Sequence, residues 1–146
     1  MAFLTTDDYS VLIRNEIQEI ITESDYEDIE AENKRLQAEQ MALSQIKNML
    51  NARYDVDAVF ETTGASRNHY LVMIAIDCTL YHLYTSLAPN LIPDVRSTRY
   101  QDAIDWMKDV RRGNANADLP RHKDEAGDDL FDFRFGSERK NENNKW

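Results

Sequence analysis

Tyr70-Leu-Val-Met-Ile-Ala-Ile76-Asp77-Cys78-Thr-Leu-Tyr81-His82-Leu-Tyr84 is the stretch on which the fold turns. Its apolar residues fall on nearly every side of a helix and show no period-two alternation. A helix from about Arg67 to Leu87, surrounded by other elements, is therefore expected. A core helix of that kind needs several partners, and the flanking sequence supplies them. On its C-terminal side, Pro93 opens a helix over about Asp94 to Arg112, with Tyr100, Ala103, Ile104, Met107 and Val110 on one side. Arg111, Arg112 and Gly113 close it, bases at the negative end and glycine just beyond.

On its N-terminal side, no Gly or Pro occurs before Gly64. Thr5 or Thr6 is expected to cap a short helix running to about Arg14, with Asp7 and Asp8 in its first turn. A second short helix, Glu16 to Thr22, spaces Ile17, Ile20 and Ile21 at three and four. Ser24 or Asp25 then opens a long helix to about Arg53. Ile29, Leu36, Leu43 and Leu50 recur every seven residues in it, but Glu32 and Glu39 occupy the intermediate seam positions. Its first half is expected to bury only a narrow stripe, and its second half, from Met41, to join the core. The fold class that follows is all-α: a small bundle of about four to five helices, one of them long and in the N-terminal half. This body spans residues 1–113, with an extended C-terminal arm over 114–146.

Charge narrows the function. Of 146 residues, 17 are Lys or Arg and 27 are Asp or Glu, a net charge of -10 that opposes gripping DNA or an anionic membrane. Residues 1–60 carry 13 acids against 5 bases, 61–113 carry 6 against 6, and 114–146 carry 8 against 6, so the acidity sits early. The longest apolar stretch, Tyr70 to Ile76, is closed by Asp77, and a membrane role is not expected. A lone Cys78 excludes a disulfide framework within the chain. The N-terminus has neither a basic region nor an apolar run, so cytoplasmic assembly is expected.

No constellation of catalytic residues stands out. Cys78 and His82 share a helical face at i, i+4, but zinc takes three or four ligands and neither His69 nor His122 is spaced to complete a set. Asp102, Asp105 and Asp109 fit an exposed face better than a cation site. Asp77, amid Ile74, Ile76 and Leu80, is either a general base or the buried partner of Arg53, Arg96 or Arg99, the structural pairing being the simpler reading. No metal, cofactor or enzymatic activity is expected. In the arm, Leu130-Phe131-Asp132-Phe133-Arg134-Phe135-Gly136 alternates aromatics with opposite charges. As a strand it puts its rings on one face, and alone it has no stability. Phe131, Phe133, Phe135 and the distant Trp146 are therefore read as anchors of a docking segment, against the plainer reading of a disordered tail with incidental rings.

Several words, in this order, resemble a phage family: Thr6-Asp7-Asp8-Tyr9; Leu50-Asn-Ala-Arg53-Tyr54-Asp55-Val56; Asp77-x3-Tyr81-x-Leu83-Tyr84; Ile92-Pro93; and Arg99-Tyr100-x-Asp102-Ala103-Ile104-x-Trp106. Together they are similar to the Mu-like prophage head-tail connector (adaptor) proteins over about residues 4–120, and Phe135-Gly-Ser-x-Arg139-Lys140 is similar to a tail found in some relatives. The acidic, long tail departs from that pattern. The resemblance implies a helical virion protein without enzymatic activity, located at the neck. It forms a ring with itself, commonly dodecameric, between the portal protein and a tail-side neck or tail completion protein, and DNA passes through that ring without specific binding. Repulsion from Glu23, Glu30, Glu32 and Glu39 would keep the lumen from holding DNA if those acids line it. The rival role is a helical assembly chaperone or regulator absent from the finished particle.

Overall fold

A computed structural model describes residues 2–22, 28–123, 125–127 and 129. Among them five α-helices occur and no strand: α1 (Val11–Thr22), α2 (Asp28–Leu50), α3 (Val56–Phe60), α4 (His69–Leu87) and α5 (Asp94–Arg112). α4 is the axis of the bundle, with α2, α5 and α1 packed around it. Its capping follows the sequence: the Asn68 side chain accepts from the Leu71 amide at 2.9 Å. Although α4 is long and apolar enough to cross a bilayer by composition, most of it is buried inside the bundle, as a core helix must be. Leu71, Ala75, Cys78, Leu80 and Leu83 are wholly enclosed, and each of the three leucines contributes roughly 1.5–3 kcal/mol by leaving water.

α2 meets α4 through Ala38, Ala42, Ile46 and Leu50, all buried at four-residue spacing. Two alanines let the helix axes approach closely, so the buried seam lies there and not along the seven-residue repeat. Leu36 is exposed, Leu43 only half-buried, and Met41, expected in the core, is 52% exposed.

The N-terminus differs from expectation in a second way. Residues Thr6–Asp8 form a single 3-10 turn, and one helix, α1, replaces the expected pair. The break between them is Tyr9, which takes extended backbone and buries its ring. α2 ends at Leu50, three residues before the expected Arg53, and α3 was not anticipated. Asp55 caps α3 by accepting from the Ala58 amide at 3.1 Å. At the end of α5, Gly113 takes φ 86° and its amide reaches back to Val110 O at 3.1 Å.

The chain beyond Gly113 does not leave the body at once. The Tyr54 hydroxyl accepts from the Ala117 amide at 3.2 Å, and Asn68 Nδ2 donates to Asp118 O at 3.0 Å. The Asp55 amide donates to Pro120 O at 2.9 Å, and the His122 ring bonds Asn51 O at 2.7 Å. Residues 114–122 thus lie across the end of the bundle, and any arm separates later than the expected boundary at 114.

Candidate interaction surfaces

Several charged residues in the body are matched to specific partners. Asp77, buried on α4, receives Arg99 Nε at 2.8 Å and Nη2 at 2.9 Å, a bidentate bond across to α5. Arg96, one turn before, donates to both carboxylate oxygens of Glu16 on α1, and the Tyr84 hydroxyl adds a bond to the same carboxylate at 2.7 Å. Burial alone would raise the Glu16 pKa, but these hydrogen bonds outweigh it and hold the group below its ordinary value. Of the three arginines considered for Asp77, Arg99 takes the place; Arg53 instead donates to Val110 O at 2.8 Å, closing the end of α5. Paired in this way, Asp77 clamps α4 to α5.

A second cluster joins the N-terminal turn to α2. The Tyr9 hydroxyl donates to Glu39 at 2.6 Å, and Arg35 bridges Glu39 and Glu32. Burial pushes the Glu39 carboxyl up and the Tyr9 phenol up with it. The expectation that Glu39 faces a lumen is corrected by this geometry: its carboxylate is turned inward and is 8% exposed. The long helix had only a narrow stripe to bury, and Glu39 lies on it, tolerated because Tyr9 and Arg35 satisfy it. Glu32 is exposed and paired with Arg35. Glu23 and the side chain of Glu30 lie outside the described residues, as do Leu130, Phe131, Phe133, Phe135, Gly136 and Trp146.

Asp8 forms a third pair. Its carboxylate accepts the Arg67 guanidinium at 2.6 and 2.8 Å and the Thr5 amide at 2.6 Å, and Arg67 also donates to Phe3 O at 2.8 Å. The Arg67 bond holds the Asp8 pKa down to about 2. The segment before α1 is thereby tied to the loop before α4, a role that the capping signal of Thr5 and Asp8 did not announce.

No group of three or more His, Cys, Asp or Glu residues that could hold a metal ion occurs among the described residues. Cys78 is fully buried, with its thiol pushed up to about 12 by burial, an inert core residue. The His82 ring faces Gln45 Oε1 at 2.9 Å, and burial lowers its pKa.

Two grooves remain. One, of about 420 Å³, is floored by Ile13, Val72, Met73 and Ile76 and rimmed by the Asp77, Arg96 and Arg99 cluster. The other, of about 690 Å³, runs along α2 over Gln37, Gln40, Met41, Ser44, Gln45, Asn48 and Met49 and ends at His82. Met73 and His82 are nine residues apart on α4, which at about 100° per residue puts the grooves on opposite sides of the core helix. The second groove was missed in the sequence because its residues look unremarkable one by one. The available signal was the lack of exposed charge from Leu36 to Ile46, where the one charged residue, Glu39, is buried, in a chain that is 30% charged. Beside it, the rings of Tyr81 and Tyr100 stack at 3.9 Å, and Gln45 Nε2 donates to the Tyr100 hydroxyl at 2.9 Å.

No curated protein and no solved structure matches the chain. The family model described as Bacteriophage Mu, Gp36 matches residues 5–132, nearly the whole length, so the chain belongs to that family and is a bacteriophage protein with a structural or morphogenetic role.

Proposed function

We propose that the chain is the subunit of a head-tail connector, a ring at the neck of the virion between the portal protein and the first tail component, through which DNA passes. The family match carries this reading, and the two grooves on opposite sides of α4 support it. A closed ring repeats one heterologous contact, so each subunit must offer two different faces roughly opposed, and association of like chains at net charge -10 needs faces without excess charge. One groove has no charged lining residue and the other carries matched pairs. The proposed role has no turnover and needs no cofactor. Its DNA-facing acids are Glu23, Glu30 and Glu32, with Glu39 withdrawn because it points inward.

Residues beyond 129, with Phe131, Phe133, Phe135 and Trp146 as anchors, reach the portal or a neighbouring subunit in the assembled neck. Native mass spectrometry of the full chain, alone and with portal protein, is expected to give a closed ring of defined copy number. A chain that stays monomeric under both conditions rules the reading out. Mass spectrometry of purified virions separates it from an assembly chaperone, which leaves before the particle is finished.

A further inference from the structure

We infer that before assembly the aromatic segment Leu130-Phe131-Asp132-Phe133-Arg134-Phe135 rests on its own subunit, in the groove along α2. The path of the chain leads there. His122 is bonded to Asn51 O, and Asn51 continues α2's helical pattern through its amide to Lys47 O at 2.9 Å. Lys123 and Asp129 pair across a turn, which returns residue 129 to the side of residue 123. The described path thus ends, at Asp129, near the C-terminal end of α2, from which the stripe Gln37, Gln40, Met41, Ser44, Asn48 runs back, and Leu130 is the next residue in the chain.

Lengths agree as well. The stripe from Gln37 to Asn48 is about 17 Å long at helical rise, and Leu130 to Phe135 in extended form covers about the same distance. The chemistry is complementary in two respects. An extended segment off a sheet leaves its amides and carbonyls unpaired, and the Gln, Ser and Asn side chains of the stripe offer both donors and acceptors to them. Alternation then turns the three rings together toward Met41 and Met49, whose thioethers pack well against aromatic faces, and leaves Asp132 and Arg134 in water. The exposed residues of the stripe carry no charge, so Asp132 meets no fixed anion. A short tether makes the chain's own segment the favoured occupant over a second copy, because its effective concentration is of order millimolar. The inference does not depend on the ring: it concerns the free subunit.

The test uses the full chain carrying p-benzoylphenylalanine in place of Phe133, irradiated at low concentration. Cross-links within a single chain to Met41, Ser44, Asn48 or Met49, with a yield independent of dilution, are the expected result. Met41→Glu should then cut that yield about tenfold, as loss of one anchor contact does. Because Met41 is exposed, an unaltered circular dichroism spectrum will show that the body still folds. Cross-links to other parts of the chain, products only of twice the mass, or a yield unmoved by Met41→Glu each overturn the inference. None of these outcomes alters the copy number by which the connector reading is judged.

Discussion

Asp8 and Glu39 are both carboxylates facing arginines, yet they titrate in opposite directions. At Asp8 the Arg67 hydrogen bonds dominate and the folded-state pKa falls to about 2. At Glu39 burial dominates, with Tyr9 and Arg35 offsetting only part of it, and the pKa rises. A depressed carboxylate adds stability that is fully present above its unfolded value and is lost as pH falls through the folded one. Asp8→Asn is thus expected to cost about 1–2 kcal/mol at neutral pH, with the difference from the parent closing between pH 4 and 2 in urea titrations. A difference that stays constant over that range would show that Asp8 acts by packing and not by charge. Glu39 works the other way, since its folded state keeps a proton longer than the unfolded one, so it takes stability away as pH climbs above the ordinary carboxylate range. At Asp77 the pairing with Arg99 predicts that Asp77→Asn lowers stability by about 1–3 kcal/mol, measured by chemical denaturation, since the Arg99 left behind is partly exposed and can hydrate, and that Arg99→Ala lowers it by more because the buried Asp77 carboxylate loses its bidentate partner.

At the scale of elements, α2 carries two faces that a residue-by-residue hydrophobicity reading confuses. Met41 and Leu36 look like core and are exposed; Ala38 and Ala42 look neutral and are the contact with α4. Ala42→Leu is therefore expected to destabilise by about 1–3 kcal/mol through overpacking, whereas Met41→Leu stays within about 0.5 kcal/mol, both by thermal or urea unfolding. Equal effects at the two positions would reverse the assignment of faces. The core helix and α5 were legible because α4 is apolar all round and α5 has Pro93 before it and Gly113 after it. The break at Tyr9 was not, since it depends on Arg67, 58 residues away in the chain, gripping Asp8 and Phe3 O. α3 escaped for a related reason: Asp55 is a good cap, but a helix of five residues shows no period in sequence.

For the whole molecule, residues 114–122 decide where the folded body ends. Composition placed the boundary at 114, where Asn-Ala-Asn-Ala reads as a linker, but the bonds to Tyr54, Asn68 and Asp55 are made by backbone groups of residues 117, 118 and 120 and leave no trace in side-chain type. Truncation after residue 129 should leave the melting temperature nearly unchanged, while truncation after 113 should lower it by about 2–4 °C or more, the shift that loss of each 1 kcal/mol produces in a domain near this size. Circular dichroism melts of the two forms decide it, and equal melting temperatures would restore the boundary at 114. The same packing has an optical consequence. Trp106 meets Tyr70 edge-on at 4.9 Å, and the two rings line a small pocket together with Ala117 and Leu119. With Trp146→Phe the chain keeps one indole. Its emission colour then becomes an intrinsic gauge of whether that stretch is seated, readable without a label while the subunits are mixed with their partners.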